Sequence, residues 1–177
     1  MTTGPPVDPP VDPPVDEVDR IVAAWRRERP DLDVTPLEVL SRVTRLARHL
    51  DLARGAAFAA HGLERWEFDV LAALRRAGKP YELSPGQLTA ETLVSSGTMT
   101  NRIDRLERRS LVQRRPDPDD GRGVLVQLQP AGRELVDTAL ADLLEREREL
   151  LSALPPAAAD MLTAALRRLV TPFDAPS

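Results

Sequence analysis

The sequence predicts a mainly α-helical protein carrying one small β-hairpin. Three observations predict it. Apolar residues recur at spacings of three and four along most of the chain, as in amphipathic helices. The period changes to two in one region only, residues 111–128. Of the 177 residues 42% are hydrophobic but only 3% aromatic, so the core is built from Leu, Val, Ile and Ala, a helical palette.

Residues 5–16 hold three copies of Pro-Pro-Val-Asp. Proline at half the positions prevents both helix and sheet ladder, so residues 1–15 are expected to form an extended or disordered tail. From Asp16 the pattern turns helical, with Val18, Ile21, Val22 and Trp25 on one stripe and Pro30 as the stop. Thr35, Pro36, Leu37 and Glu38 read as a capping box with proline at the first helical position. Behind it Val39, Val43, Leu46, Leu50 and Ala53 line a long helix, which Gly55 weakens and Gly62 ends. A third helix is expected from Glu64 to Arg76, with Phe68, Leu71 and Leu74 inward and Gly78 as its stop.

Ser84 to Gln87 form a second capping box and open a short helix to about Thr92. After a tight turn another helix starts at Ser95 or Ser96. Met99, Ile103 and Leu106 give it a narrow buried stripe, and Thr98, Asn101, Arg102, Arg105, Arg108 and Arg109 its polar face. Residues 111–115 and 123–128 read as strands, joined by the turn-forming run from Pro116 to Arg122. Pro130 restarts helix, with Leu135, Val136, Ala139, Leu140, Leu143 and Leu144 on a broad apolar face. Glu145 to Glu149 read as a solvated turn. After Pro155 and Pro156 a last helix is expected from about Ala157 to Val170.

Composition excludes several function classes. There is no cysteine, hence no disulfide, thiolate nucleophile, thiol redox sensor or thiolate zinc site. His49 and His61 are the only imidazoles, too few for a histidine metal centre. The chain has no Gly-rich phosphate loop, no HExxH and no histidine near a serine-nucleophile motif, so neither an enzyme nor a cofactor protein is expected. No run of 18 apolar residues and no charged-then-apolar leader occur, so the expectation is a cytoplasmic protein with no membrane partner. The net charge of −4 does not by itself suggest nucleic acid. Its distribution does: between Thr98 and Pro116 six arginines (102, 105, 108, 109, 114, 115) face only Asp104 and Glu107. A basic element on an acidic body focuses its field on an anionic partner.

Short helix, turn, arginine-bearing helix, hairpin: this order is a winged helix-turn-helix. Its second helix fits the major groove of double-stranded DNA, its start can bond phosphate, and its hairpin tip reaches a minor groove. The candidate DNA-contacting residues are Ser95, Ser96, Thr98, Thr100, Asn101, Arg105 and, at the wing tip, Arg122. Asn101 and Arg105, one turn apart, are the leading groove-facing pair. Arg108 and Arg109 lie at the helix end, where a cation also favours the dipole. The apolar faces of the first and the last two helices exceed what so short a chain buries easily, which points to a homodimer.

Residues 63–132 resemble the MarR family of bacterial transcriptional regulators. The likeness rests on Phe68 to Leu71 (FDVL), Leu83 to Leu88 (LSPGQL), Ser95 to Leu106 (SSGTMTNRIDRL) and Leu111 to Asp120 (LVQRRPDPDD). It continues through Arg122 to Leu125 (RGVL) and Leu128 to Gly132 (LQPAG), and with flanking helices spans about residues 16–170. Ser110 stands where the family usually has Gly, and Gly121 where a second wing Arg is usual. The resemblance implies a winged helix-turn-helix with N- and C-terminal dimerisation helices, reading a pseudo-palindromic site as a homodimer and most often repressing. It implies N-terminal helices over 16–62, a DNA-binding domain over 63–129 and dimerisation helices over 130–177.

A subset of the family responds to urate and adds a Trp-bearing N-terminal helix. Its pocket combines that Trp with an Asp on the helix before the helix-turn-helix, an Arg in the recognition helix and an Arg at the wing strand. Trp25, Asp69, Arg102 and Arg114 match these by type, which implies a small anionic effector, a urate-like purine or an organic acid such as aconitate. A flat anion stacks on indole and bonds guanidinium. Asp69 and Arg102 would pair in the empty state. The competing readings are Trp25 as ordinary helix-packing surface with Asp69 and Arg102 as a structural ion pair, a ligand-independent DNA binder and a winged-helix protein-interaction module.

Overall fold

A computed structural model describes residues 15–118, 120 and 123–174. The expected tail at 1–15 falls outside them but for Val15, and Arg122 lies outside them too. The fold is mainly helical with one small antiparallel sheet. In order it runs α1 (Glu17–Glu28), α2 (Thr35–Ala60), α3 (Arg65–Arg76), β1 (Glu82–Leu83), α4 (Pro85–Thr92), α5 (Ser96–Arg108), β2 (Val112–Pro116), β3 (Val124–Leu128), α6 (Pro130–Leu151) and α7 (Pro156–Asp174). The chain divides into two compact units, one ending at Leu52 and the other beginning at Ala53.

In the first unit α1 starts where Asp16 accepts the backbone N–H of Val18 and Asp19, at 2.7 and 3.0 Å. Asp19 reciprocates by accepting the Asp16 N–H at 2.9 Å. Arg42 donates to both carboxylates, at 2.8 and 2.6 Å. Val18 and Val22 are buried with Val34, whereas Trp25 remains 48% exposed. Thr35 does not cap α2. It is already helical, and Asp33 accepts its N–H at 3.0 Å. The chain enters the helix one residue earlier than expected, and the Asp33 carboxylate satisfies its first orphan donor.

The second unit holds the main core. Leu71 and Leu74 of α3, Leu88 of α4, Met99, Ile103 and Leu106 of α5, Val112 and Val126 of the hairpin and Val136 and Ala139 of α6 are all buried together. Phe58 and Phe68 stack at 4.0 Å between ring centroids. Ser84 caps α4: its hydroxyl accepts the Gln87 N–H at 3.2 Å while Gln87 Oε1 accepts the Ser84 N–H at 2.8 Å. The sheet has the strand order β1-β3-β2. In the hairpin Val112 faces Leu128 and Pro116 faces Val124.

Two elements differ from expectation. The two-residue β1 pairs with β3, Glu82 opposite Gln127. So short a strand has no periodicity and is defined only by its partner. Residues 145–149 are not a turn, for α6 runs unbroken to Leu151. Glu and Arg are good helix formers, and Arg54 clamps Glu147 at 2.6 Å, so a run of charges here marks an exposed helical turn.

Candidate nucleic-acid interface

Helix α5 is built to present one polar face. Ser95 caps it, accepting the Thr98 N–H at 3.4 Å and sharing a 2.9 Å hydrogen bond with the Thr98 hydroxyl. Thr100 donates to the Ser96 carbonyl at 3.1 Å. Ser96, Thr98, Thr100 and Asn101 are solvent-exposed, while Met99, Ile103 and Leu106 anchor the opposite face in the core. The first turn of α5 therefore offers backbone N–H groups and short hydroxyls to solvent, the donor set that suits a phosphate.

The arginines are less free than their number suggests. Arg105 pairs with Glu64 and lies 4.7 Å from the centroid of the Trp66 ring. Arg109 donates to Glu67 at 2.7 Å and to the Gly62 carbonyl at 3.1 Å. Arg114 bridges Asp104 at 2.5 Å and Glu107 at 2.6 Å. Arg115 pairs at 2.7 Å with Glu82 of β1, which also accepts from Gln127 at 2.6 Å. Among the described residues Arg102 and Arg108 make no ion pair. Arg102 lies 5.5 Å from the Trp66 centroid, and Arg108 donates to the Asp104 carbonyl at 3.2 Å. The basic stretch is thus partly neutralised by carboxylates that the local residue count does not include.

Asp69 and Arg102 do not pair. Partial desolvation by neighbouring side chains pushes the Asp69 carboxyl above its usual range, while the Arg65 and Arg102 guanidiniums pull the other way without prevailing. The two groups sense each other at a distance, and no ion pair or hydrogen bond joins them among the described residues. Arg114 is committed to the acids of α5, and Trp25 belongs to the first unit. The structure therefore leaves Asp69 within electrostatic reach of Arg102 but unbonded to it, and joins Arg114 to Asp104 and Glu107.

Comparison with known proteins adds an independent observation. Residues 61–123 match the MarR family model. The chain is 40% identical over 136 residues to the HTH-type transcriptional regulator PecS of Dickeya dadantii, covering 77% of this chain and 82% of that protein. The chain belongs to the MarR family.

Two solved structures are similar to the chain. AbsC of Streptomyces coelicolor, a MarR family transcriptional regulator, shares 21% identity over 80% of this chain and 96% of its own, with a TM-score of 0.70, a likeness of fold. Bordetella bronchiseptica BpsR, whose DNA binding is regulated by 6-hydroxynicotinic acid, shares 30% identity over 72% of this chain and 98% of its own, with a TM-score of 0.56. The matched relatives PecS and AbsC are transcriptional regulators, and the segment matched by the family model spans α3, α4, α5 and β2. Among the described residues no helix is long and apolar enough to cross a membrane, and no cluster of His, Asp or Glu is arranged to hold a metal.

Sequence reasoning did not single out Glu64, Trp66, Glu67 or Glu82, the residues that engage Arg105, Arg109 and Arg115. Only Glu67 left a signal that could have found it: a charged residue among Trp66, Phe68 and Leu71, on the inward face of α3, which the structure shows 2% exposed.

Proposed function

We propose that this MarR-family chain is a homodimeric repressor that binds a pseudo-palindromic operator and is released by a small anionic effector such as urate. The observation that carries the DNA part is the exposed polar face of α5, which begins at a capped helix start and runs beside the wing. Ser95, Ser96, Thr98 and Thr100 would contact phosphate, Asn101 and Arg105 base edges or phosphate, and Arg122 the minor groove. In this reading residues 16–62 and 130–177 supply the dimer elements and residues 63–129 read DNA.

The effector part rests on Trp25, Asp69, Arg102 and Arg114. Arg102 has no carboxylate partner among the described residues, and Asp69 already sits above its ordinary pKa. An anion drawn to Arg102 would repel Asp69 further and move the helix that reads DNA, so effector and DNA would compete through one two-state element. The regulation of BpsR by 6-hydroxynicotinic acid supports a flat heteroaromatic acid as the effector class. One observation favours a second reading, a DNA binder without an effector: Arg114 is already occupied by Asp104 and Glu107.

Gel-shift titration with and without urate separates the two. The expected result is that Arg102→Ala weakens DNA binding and the urate response together. Trp25→Ala should keep DNA binding and lose the response. A normal urate response in both variants discards the pocket.

A further inference from the structure

Glu64 is the last residue before α3, and its carboxylate has two partners. It accepts the Trp66 indole N–H at 2.7 Å and pairs with Arg105 of α5. The Trp66 ring lies under the Arg105 guanidinium at 4.7 Å and near that of Arg102 at 5.5 Å. The indole N–H fixes the carboxylate, the carboxylate fixes the guanidinium, and the ring supports it from below. Trp66 and Arg105 together hold the Glu64 carboxyl below its usual range, so it stays ionised at neutral pH.

This arrangement adds little to stability. The side chains of Arg105 and Glu64 are 48% and 56% exposed, and such pairs contribute marginally to folding. Its two charged groups lie outside the core, against which the Trp66 ring packs. What it does change is the charge that α5 presents one helical turn beyond Asn101. A phosphate approaching Arg105 meets a guanidinium already neutralised and backed by a fixed negative charge.

We propose that Glu64, oriented by Trp66, sets the specificity of DNA binding by withholding Arg105 from phosphate. The inference rests on the reading that α5 enters the major groove. Non-specific binding is driven by phosphate neutralisation and counterion release. A cation held by its own carboxylate contributes little to that term. A duplex that engages the rest of α5 brings phosphate close enough to exchange partners with Glu64, so Arg105 is recruited only in a matched complex. The carboxylate thereby lowers affinity for arbitrary duplex more than affinity for the operator, widening the specificity ratio that matters among many competing sites.

The test uses the full chain, a fluorescently labelled mixed-sequence duplex of about 30 base pairs, room for two half-sites one helical turn apart, and a salt titration. Glu64→Gln keeps the shape and the backbone N–H but removes the charge. It should tighten binding of this arbitrary duplex by about two- to fivefold at low salt, the range an exposed ion pair controls. The slope of log affinity against log salt should steepen by about one unit for each α5 engaged, about two for a homodimer on both half-sites, the signature of one more phosphate neutralised per protomer. Trp66→Phe, which keeps a ring but loses the N–H, should shift both in the same direction by less. In an Arg105→Ala background the effect of Glu64→Gln should vanish. Equal or weaker binding by Glu64→Gln, with an unchanged salt slope, overturns the proposal while leaving α5 as the DNA helix. A gain that survives without Arg105 also overturns it, since Glu64 then acts on DNA directly. A wild-type protein that ignores every duplex in dilute buffer removes the groove reading, and this inference with it.

Discussion

Ser110 and Leu93 each adopt a left-handed backbone, at φ 55° and 52°. Ser110 ends the turn after α5, at the position where the MarR family usually has Gly, and Leu93 follows α4 with its side chain 92% exposed. An L-residue pays about 1–2 kcal/mol for this conformation. Glycine avoids that cost but loses about 0.4–1 kcal/mol through the freedom it adds to the unfolded chain. The difference predicts that Ser110→Gly and Leu93→Gly each stabilise the protein by about 0.5–1 kcal/mol, read as a higher urea midpoint at constant slope. A lower midpoint in both would show that these side chains carry packing which the exposed surface hides. The same scale governs the acid response. Asp69 is an exposed residue, yet neighbouring side chains partly desolvate its carboxyl, and this outweighs the nearby arginines and raises it above its ordinary value of 3.8. Its contribution to stability therefore grows as pH falls from the raised value toward 3.8, and is lost as pH rises through the raised value. The Arg42 and helix-start hydrogen bonds of Asp16 lower its carboxyl below 3.8, and those of Asp19 do the same. Their contribution is intact above 3.8 and disappears as pH falls below it. Unfolding followed across pH should show a shallow gain before the acid loss, and Asp69→Asn should remove the gain alone.

At the scale of elements, α6 enters against the hairpin without space for a side chain at its third residue. A Cβ added at Gly132 would collide with the carbonyl oxygen of Leu111 and come within 2.9 Å of Leu128 Cδ1. The same carbonyl accepts the Gln129 N–H at 3.0 Å, so it cannot retreat without breaking the bond that starts α6. Gly132→Ala should cost about 1–3 kcal/mol, as overpacking does, measured by denaturant unfolding. Gly97→Ala is the control, since nothing lies within 4 Å of the added carbon, and Ala favours helix. Most of these elements were legible in the sequence. The box at Ser84, the helical onset at Asp16, the stop at Gly78 and the buried stripe of α5 are written in neighbouring residues, because helix starts and stops are local hydrogen-bond problems, whereas the box read at Thr35 is not formed. The solvated turn assigned to residues 145–149 failed for the converse reason. A charge-rich run carries no apolar period, yet it continues a helix when its flanks are anchored and its charges find partners such as Arg54.

For the whole molecule, α7 states the largest unfinished piece of chemistry. Met161, Leu162, Leu166, Leu169, Val170 and Phe173 are all exposed, and none of residues 156–173 is buried. A contiguous apolar helix face open to water marks an interface, and in the proposed homodimer its occupant is a second copy. Leu166→Arg would put a charge into that interface. Sedimentation equilibrium should then show a monomer with unchanged far-ultraviolet dichroism, and duplex affinity should drop because two half-sites are no longer tethered. A variant that remains a dimer would assign α7 some other role.

The sequence by itself determined the order of helices, the hairpin, the helix-turn-helix and the exposed polar face of α5, since all of these follow from periods and caps within a few residues of one another. It did not determine which arginines are available. Glu64 meets Arg105 across 41 positions and Glu67 meets Arg109 across 42, and Glu82 reaches Arg115 from a strand that exists only through its pairing with β3. Coulomb attraction depends on distance in space, so only the packing of α3 and β1 against α5 and the wing decided how much of the positive charge remains for DNA.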